Sequence, residues 1–177
     1  MALTTLTPAE RLQLINQFRI LEKLYPEDAE HYAESRGIIA HGYTIQYEGV
    51  FNEVYEEMDI EECQYVFDVL DLYRTLTRSF DALTDKKGLT SENVRFQGFD
   101  GNNESRRHAF AEHLRKQGKW TETLTGRLNS HSKITMSLYP RMLAKFEPIQ
   151  EQILASHTGN WELTAEQIRE VISPPTE

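Results

Sequence analysis

This sequence has almost no cysteine, no long apolar run and no pattern of a signal peptide at its start. Its 177 residues include a single cysteine, Cys63, which excludes an internal disulfide framework and a cysteine-based zinc site. No run of about 18 apolar residues occurs, and the first residues do not place a basic segment before an apolar one. We therefore expect a soluble, cytoplasmic protein that does not enter a membrane.

Apolar residues are also scarcer than usual. They make up 39% of the chain, against about 45–50% in an average globular domain, whereas charged residues, at 27%, are ordinary. A chain of this length can still bury a core. The composition predicts a single domain over 1–177, with a possible subdivision near 84–93, built from long helices that leave much surface wet.

Positive charge is missing from one long stretch. Between Arg36 and Arg74 there is no lysine or arginine but nine acids, and without these nine the chain has as many acids as bases. The nine acids lie within 48–71, whereas basic residues dominate 105–145. Two interpretations stay open: these are separate solvated faces, or the two segments meet, within one chain or across copies.

Helix-capping signals divide the first half of the chain. A capping box at Thr7 and Glu10 opens a helix over 7–24. A second helix is predicted over about 26–41, because Gly42 suits a left-handed stop. A short helix follows over about 47–57, and Asp59 then caps a long one.

The long helix after Asp59 carries a heptad seam. Its apolar residues alternate at spacings of three and four, so one side of the helix is continuously apolar. We expect a partner helix or a helical hairpin to cover this seam. The residues of a candidate interface are Val66, Val69, Tyr73, Leu76 and Phe80, with Arg106 and Arg107 from the basic segment.

The second half of the chain is also predicted to be helical. One helix is expected over about 101–118 and another near 163–172, with a polar loop at 119–133. Pro140 and Pro148 interrupt the apolar stripe of residues 134–157, which predicts a kinked helix or two helices. The fold class is therefore all-α, a compact domain of about 6–8 helices that includes a long helical hairpin.

Residues 94–113, VRFQGFDGNNESRRHAFAEH, invite a functional interpretation. The run from Asp100 imitates a calcium loop, but its sixth and twelfth positions are Ser105 and Ala111 rather than glycine and glutamate. His108 and His113 are five residues apart, so they point in different directions on a helix and do not suit a shared zinc ion. No metal or other cofactor is expected.

Two hypotheses for this stretch remain. In the structural one, Asp100 is the cap of the helix over 101–118, behind buried aromatic residues. In the functional one, Asp100, Glu104 and His108 form an acid–base cluster, since Glu104 and His108 are four residues apart. Nothing in the sequence supplies a nucleophile or an oxyanion site, which favours the structural hypothesis.

Two further features leave alternatives open. Asn16 and Gln17 lie within an apolar helix, where a polar pair can recognise a ligand or fix the packing of helices. The basic residues of 105–145 suit nucleic acid, but they are not interleaved with aromatic residues as in a known binding module.

Several stretches together resemble the YfbU family of small bacterial and archaeal proteins, whose biochemical function is not established. They are ERLQLINQF, YPEDAEHYAESRGIIAHGYTIQ, VRFQGFD with Glu104 and Arg106 following, and LTAEQIREVI. The resemblance implies an all-helical fold with a helical hairpin and a tendency to self-associate. It transfers no catalytic residue.

The sequence thus favours a non-enzymatic, self-associating helical protein with a scaffold or interaction role. Another copy of the chain is the expected partner, and an unknown protein partner is possible. The alternative is a nucleic-acid-associated regulator that uses the basic segment 105–145, although nucleic acid is not the expected partner. An enzyme of unknown reaction is third.

Overall fold

The computed structural model describes residues 5–156 and 161–174, and in this part of the chain the fold is all-α, with seven α-helices. The chain forms two compact units, 1–57 (unit 1) and 58–177 (unit 2). Whether the two act as one domain, as the sequence predicts, stays a prediction.

Unit 1 begins with the helix that its capping box predicts. Helix α1 spans Pro8–Leu24. The Thr7 hydroxyl accepts a hydrogen bond from the Glu10 amide at 3.3 Å, and the Glu10 carboxylate accepts one from the Thr7 amide at 2.7 Å. Two of the amides that a helix start leaves free are thereby satisfied.

The next helix also follows its predicted limits. A short 3-10 turn at Pro26–Asp28 leads into α2, Ala29–His41, which ends at Gly42 with a left-handed φ of 72°. The helix predicted over 47–57 is much shorter, because α3 spans only Tyr47–Val50. Several acidic residues occupy the positions that would have formed its last turns. Their negative charges are unfavourable there, because the C-terminal end of a helix dipole is itself negative.

Helices α1 and α2 form the helical hairpin of the fold. The Arg11 guanidinium donates from Nε to the carbonyl of Ile39 at 2.8 Å, and an ion pair of 2.5 Å joins Arg36 to Glu22. Because the first residues of α1 meet the last residues of α2, the two helices run antiparallel.

Unit 2 contains the other four helices. Helix α4 spans Ile60–Ala82 and opens with Asp59, whose carboxylate accepts from the Glu62 amide at 2.7 Å. A 3-10 turn at Ser91–Val94 precedes α5, α6 and α7. The last three helices span Ser105–Lys116, Ile134–Ser156 and Ala165–Ile172.

Helix α6 is a single element, although two helices were one of the predicted outcomes. Each of its two prolines removes one backbone hydrogen bond, while buried residues along one side hold the helix against the core. These buried residues are Tyr139, Met142, Phe146 and Ile149. His157, the last residue of the predicted stripe, lies outside the described residues.

An aromatic cluster lies at the centre of unit 2. It comprises Tyr73 of α4, Tyr139 of α6, and Phe96 and Phe99 of the segment between α4 and α5. The Tyr73 ring lies 5.4 Å from that of Phe96 and 5.6 Å from that of Tyr139, in edge-on contacts. Such contacts add to the free energy that burial of the rings already provides.

The heptad seam of α4 packs inside unit 2. Val66, Val69, Tyr73 and Leu76 are buried there and Phe80 is partly buried, so these five residues of the candidate interface are covered within the chain itself. Several elements cover the seam rather than one partner helix. They are α5, α6, α7 and the 3-10 turn at Ser91–Val94. The spacing of apolar residues identifies the buried side of a helix but not what covers that side.

Replacing a buried seam residue should destabilise unit 2. Leu76→Ala removes a fully buried side chain and should lower the free energy of unfolding by about 2–5 kcal/mol, measured by urea unfolding. Ile60→Ala is the matched control, because Ile60 lies on the same helix but is 75% exposed. Equal losses in the two variants would contradict this description of the core.

Candidate functional site

The segment that invited a functional interpretation pairs with a distant loop. The Phe99 amide donates to the carbonyl of Leu128 at 2.9 Å, and the Ser130 amide donates to the carbonyl of Phe99 at 2.9 Å. Gly98 has a left-handed φ of 88°, and a Cβ atom there would collide with the Leu128 carbonyl. Gly98 is therefore required both by the backbone conformation and by this close approach.

Asp100 stabilises a turn rather than the helix. Its carboxylate accepts from the Asn102 amide at 3.1 Å and from the Asn103 side-chain amide at 2.5 Å. These hydrogen bonds, that of Asn103 first, lower the pKa of Asp100. Helix α5 begins only at Ser105, with Glu104 at the N-cap position, so the prediction that Asp100 caps it is wrong. Aspartate and asparagine favour turns through such local bonds, which delays the helix.

Glu104, like Asp100, is a buried acid of this region. It is only 5% exposed, and both carboxylate oxygens have partners. One oxygen accepts from the Thr135 hydroxyl and from the Asp100 amide, each at 3.1 Å, and the other accepts from Arg107 Nη1 at 3.0 Å. Because a buried charge is costly unless it is paired, Glu104 links the turn, α5 and the start of α6.

Arg107 joins this acid to α4. Its Nε atom lies 3.3 Å from a Glu62 carboxylate oxygen but is not aligned for a hydrogen bond, so the contact is an ion pair. Glu62 belongs to the acidic stretch 48–71 and Arg107 to the basic one. The two segments therefore meet within unit 2 at this point.

The Arg107 guanidinium also lies over a partly buried tyrosine. It stands 4.4 Å from the centre of the Tyr65 ring, a cation–π contact. The Tyr65 hydroxyl is buried and has no hydrogen-bond partner among the described residues. Burial raises the pKa of Tyr65 to about 12, although the nearby positive charge of Arg107 acts in the opposite direction.

His108 does not join Asp100 and Glu104. Its Nε2 atom lies 4.0 Å from a carboxylate oxygen of Glu112, whereas the Glu104 carboxylate faces Arg107 and Thr135. Only two of the three predicted cluster residues thus come together, and both are held by hydrogen bonds of the fold itself. In residues 5–156 and 161–174, no three His, Cys, Asp or Glu side chains are grouped to hold a metal ion.

The contacts described above form one buried polar network, which comprises Asp100, Glu104, Arg107, Thr135, Glu62 and Tyr65. The sequence did not predict the last three of these residues as members. Thr135 lies 31 residues from Glu104, and Glu62 and Tyr65 lie on another helix. No local spacing relates them to Glu104. A threonine in the first turn of α6 has no distinguishing sequence signal, and only the packing of the helices reveals its role.

A groove between α4 and α6 is the clearest concavity near this network. It encloses ≈ 540 Å³. Carboxylates and apolar side chains line it together, an arrangement that suits a positively charged group on an apolar stem. The lining residues are Tyr65, Asp68, Asp71, Pro140, Leu143, Ala144, Phe146, Glu147 and Gln150.

These observations define an all-helical protein whose buried polar network connects elements of its own fold. No helix in the described part of the chain has both the length and the apolar character needed to cross a membrane. The model of the YfbU domain family matches residues 4–173, and the chain therefore belongs to that family.

A protein of another organism is also similar to this chain. It is a UPF0304 protein from Actinobacillus succinogenes, 35% identical over 94 residues, and the match covers 53% of this chain. The chain spans only 57% of that relative's length. The relative's name states no activity.

Gly98→Ala should destabilise unit 2 through both φ and the clash with Leu128. We expect a loss in the free energy of unfolding well above the ~1 kcal/mol that a left-handed alanine alone costs, measured by urea unfolding. Gly118→Ala isolates the conformational cost, because Gly118 has a φ of 71° but no atom within 4 Å of the added Cβ. If Gly98→Ala is no worse than Gly118→Ala, the close approach has no energetic role.

Tyr65 should make the fold sensitive to high pH. Because its folded pKa of about 12 exceeds the unfolded value of about 10, the neutral hydroxyl stabilises the fold below pH 10. This contribution is lost as the pH rises from about 10 to 12. Tyr65→Phe should therefore lose less stability than the wild type between pH 8 and pH 11 in urea unfolding.

The matched control for this pH effect is Tyr55→Phe, because Tyr55 is 84% exposed. The free energy of unfolding of that variant should fall with rising pH as much as that of the wild type. In both proteins the raised pKa values of Tyr73 and Tyr139 also contribute to this alkaline loss of stability. A Tyr65→Phe protein with the same alkaline loss as the wild type would show that burial of this hydroxyl does not matter.

Proposed function

We propose that this protein is a non-enzymatic, self-associating helical protein and that unit 1 provides the surface for assembly. The observation that carries the proposal is the uneven burial of apolar side chains. In unit 1 the buried hydrophobic residues of the described chain are Ile39 and Tyr47, whereas unit 2 buries 22. A unit with so little core leaves apolar surface for a partner to cover.

Helix α1 shows this most clearly. The whole of α1 is described, and none of its 17 residues is buried. The exposed large hydrophobic residues of unit 1 are Leu12, Ile20, Leu24, Tyr25, Tyr43, Ile45, Val54 and Tyr55. Contiguous exposed apolar surface marks interaction sites in soluble proteins, and these side chains are the ones from which such a surface on unit 1 could be built.

A second copy of the chain is the simplest partner. Most soluble oligomers are symmetric assemblies of identical chains. The resemblance to the YfbU family leads to the same expectation. The proposed surface differs from the heptad seam of α4, which unit 2 uses for its own core. A cytoplasmic location, which suits the single cysteine, belongs to the same proposal.

The nucleic-acid alternative gains no support from the contacts of the basic segment. Arg107 pairs with Glu104 and Glu62 inside unit 2, and Arg115 lies 3.4 Å from a carboxylate oxygen of Glu112. Positive charge that is paired in this way is less available to phosphates. Both carboxylate oxygens of Glu104 are likewise occupied by residues of the fold, which does not favour acid–base catalysis.

Light scattering coupled to size exclusion tests this proposal. The wild type at tens of micromolar should have a mass above the 20.6 kDa of one chain. Ile20→Asp places a charge on the exposed side of α1 and should raise the dissociation constant at least tenfold, which corresponds to about 1.4 kcal/mol.

Ile134→Asp is the matched control, because Ile134 is similarly exposed but lies in unit 2. It should leave the mass unchanged. A wild type that runs as a single chain at all concentrations would contradict self-association. Dissociation by Ile134→Asp but not by Ile20→Asp would place the interface outside unit 1.

A further inference from the structure

The groove between α4 and α6 carries charge of one sign. Its charged lining residues are Asp68 and Asp71 of α4 and Glu147 of α6, and no lysine, arginine or histidine of the described chain lines it. All three acids are exposed to solvent. Carboxylates that line one concave surface without nearby bases attract cations, so the groove favours a positively charged ligand.

Two of these three carboxylates have no basic partner in the described part of the chain. Asp68 accepts a hydrogen bond of 2.8 Å from the Gln64 side-chain amide, and Glu147 forms no ion pair there. Asp71, in contrast, accepts from the Trp120 indole at 2.7 Å and pairs with an arginine of its own helix. Asp68 and Glu147, one on each helix, are therefore the carboxylates that a cation from solvent can engage.

Apolar side chains of α6 form much of the remaining surface of the groove. Pro140, Leu143, Ala144 and Phe146 line it. Leu143 and Phe146 also pack against the core of unit 2, which holds this surface in place. Apolar surface beside carboxylates favours a ligand with methylene groups between its charges, because those groups leave water when the ligand binds.

The dimensions of the groove favour an elongated ligand over a single ion. The lining residues extend from Tyr65 to Asp71 along α4, about 9 Å, and from Pro140 to Gln150 along α6, about 15 Å. In the described residues, no three His, Cys, Asp or Glu side chains are grouped to hold a metal ion. Charges that are spread along a chain therefore match this groove better than one metal ion does.

Tyr65 adds a hydrogen-bonding group that the fold leaves unused. Arg107 lies over its ring, but the Tyr65 hydroxyl is buried and has no hydrogen-bond partner among the described residues. Buried polar groups nearly always have a partner. Because an ammonium group carries several N–H donors, a ligand of this kind can supply the partner that the chain itself does not.

We propose that this groove binds a linear aliphatic amine with two or more ammonium groups, the class to which the polyamines belong. The ammonium groups lie at Asp68 and Glu147, and the methylene chain lies on Leu143 and Phe146. This inference goes beyond the proposed self-association and does not depend on it, because every lining residue belongs to unit 2.

Isothermal titration calorimetry of the full chain with spermidine tests this inference. Spermidine should bind at one saturable site. The monoamine n-butylamine has a similar stem but one charge, and it should bind at least about tenfold more weakly because it cannot engage both helices at once. Mg²⁺ at the same concentration as spermidine should not displace it, since the carboxylates do not converge on one point.

Substitutions that remove one charge but keep the size of the side chain locate the site. Asp68→Asn and Glu147→Gln should each weaken spermidine binding roughly threefold or more. Glu151→Gln is the matched control, because Glu151 is an exposed acid of the same helix α6 but does not line the groove. It should leave the affinity unchanged.

A further variant places an ammonium group in the groove permanently. Ala144 is exposed and lines the groove, so Ala144→Lys should abolish saturable spermidine binding without removing a core side chain. Urea unfolding without spermidine establishes that this variant and the charge variants are folded. Amide NMR shifts of the wild type should change most in residues 65–71 and 140–150 when spermidine is added.

The possible outcomes separate this inference from the proposed function. Saturable binding that is lost in Ala144→Lys and weakened by Glu147→Gln, but not by Glu151→Gln, supports the amine site. Absence of saturable binding up to about 1 mM spermidine overturns it, and so do equal losses in Glu147→Gln and Glu151→Gln, which would indicate general attraction to an acidic surface. Either failure leaves the mass of the wild type in light scattering, and with it the proposed self-association, unaffected.

Discussion

The burial of apolar side chains within the chain is the constraint on which this structure depends. Unit 2 meets it, because four helices and the segment between α4 and α5 enclose one core around Tyr73, Tyr139, Phe96 and Phe99. Unit 1 meets it only in part, since Ile39 and Tyr47 are buried but none of the residues of α1 is. The stability of unit 2 is thus internal, whereas α1 leaves apolar side chains exposed, and this exposure is the observation on which the proposed assembly rests.

The polar network of unit 2 depends on that core rather than replacing it. Glu104 is held in its buried position by Thr135 and Arg107, and Arg107 in turn reaches Glu62 on α4. In a site shielded from water, a lone carboxylate would be strongly destabilising, so these partners are required once the helices pack as they do. A cluster that resembles acid–base machinery in the sequence therefore has a structural explanation.

The helix boundaries that local chemistry controls could be predicted from the sequence. The caps at Thr7 and Asp59 and the left-handed stop at Gly42 all depend on neighbours within four residues. The seam of α4 was identified, but its covering was not, because apolar spacing does not encode which distant element packs there. The pairing of Phe99 with Asn129, and of Glu104 with Thr135, also joins residues far apart in sequence.

Amide hydrogen exchange at two protein concentrations tests the central claim most directly, because it reports on α1 without any substitution. If α1 is the surface that a second copy covers, its amides should exchange more slowly at high than at low concentration, while the amides of α4 should not change. Exchange in α1 that is the same at both concentrations, in a sample that light scattering shows to be oligomeric, would contradict the account.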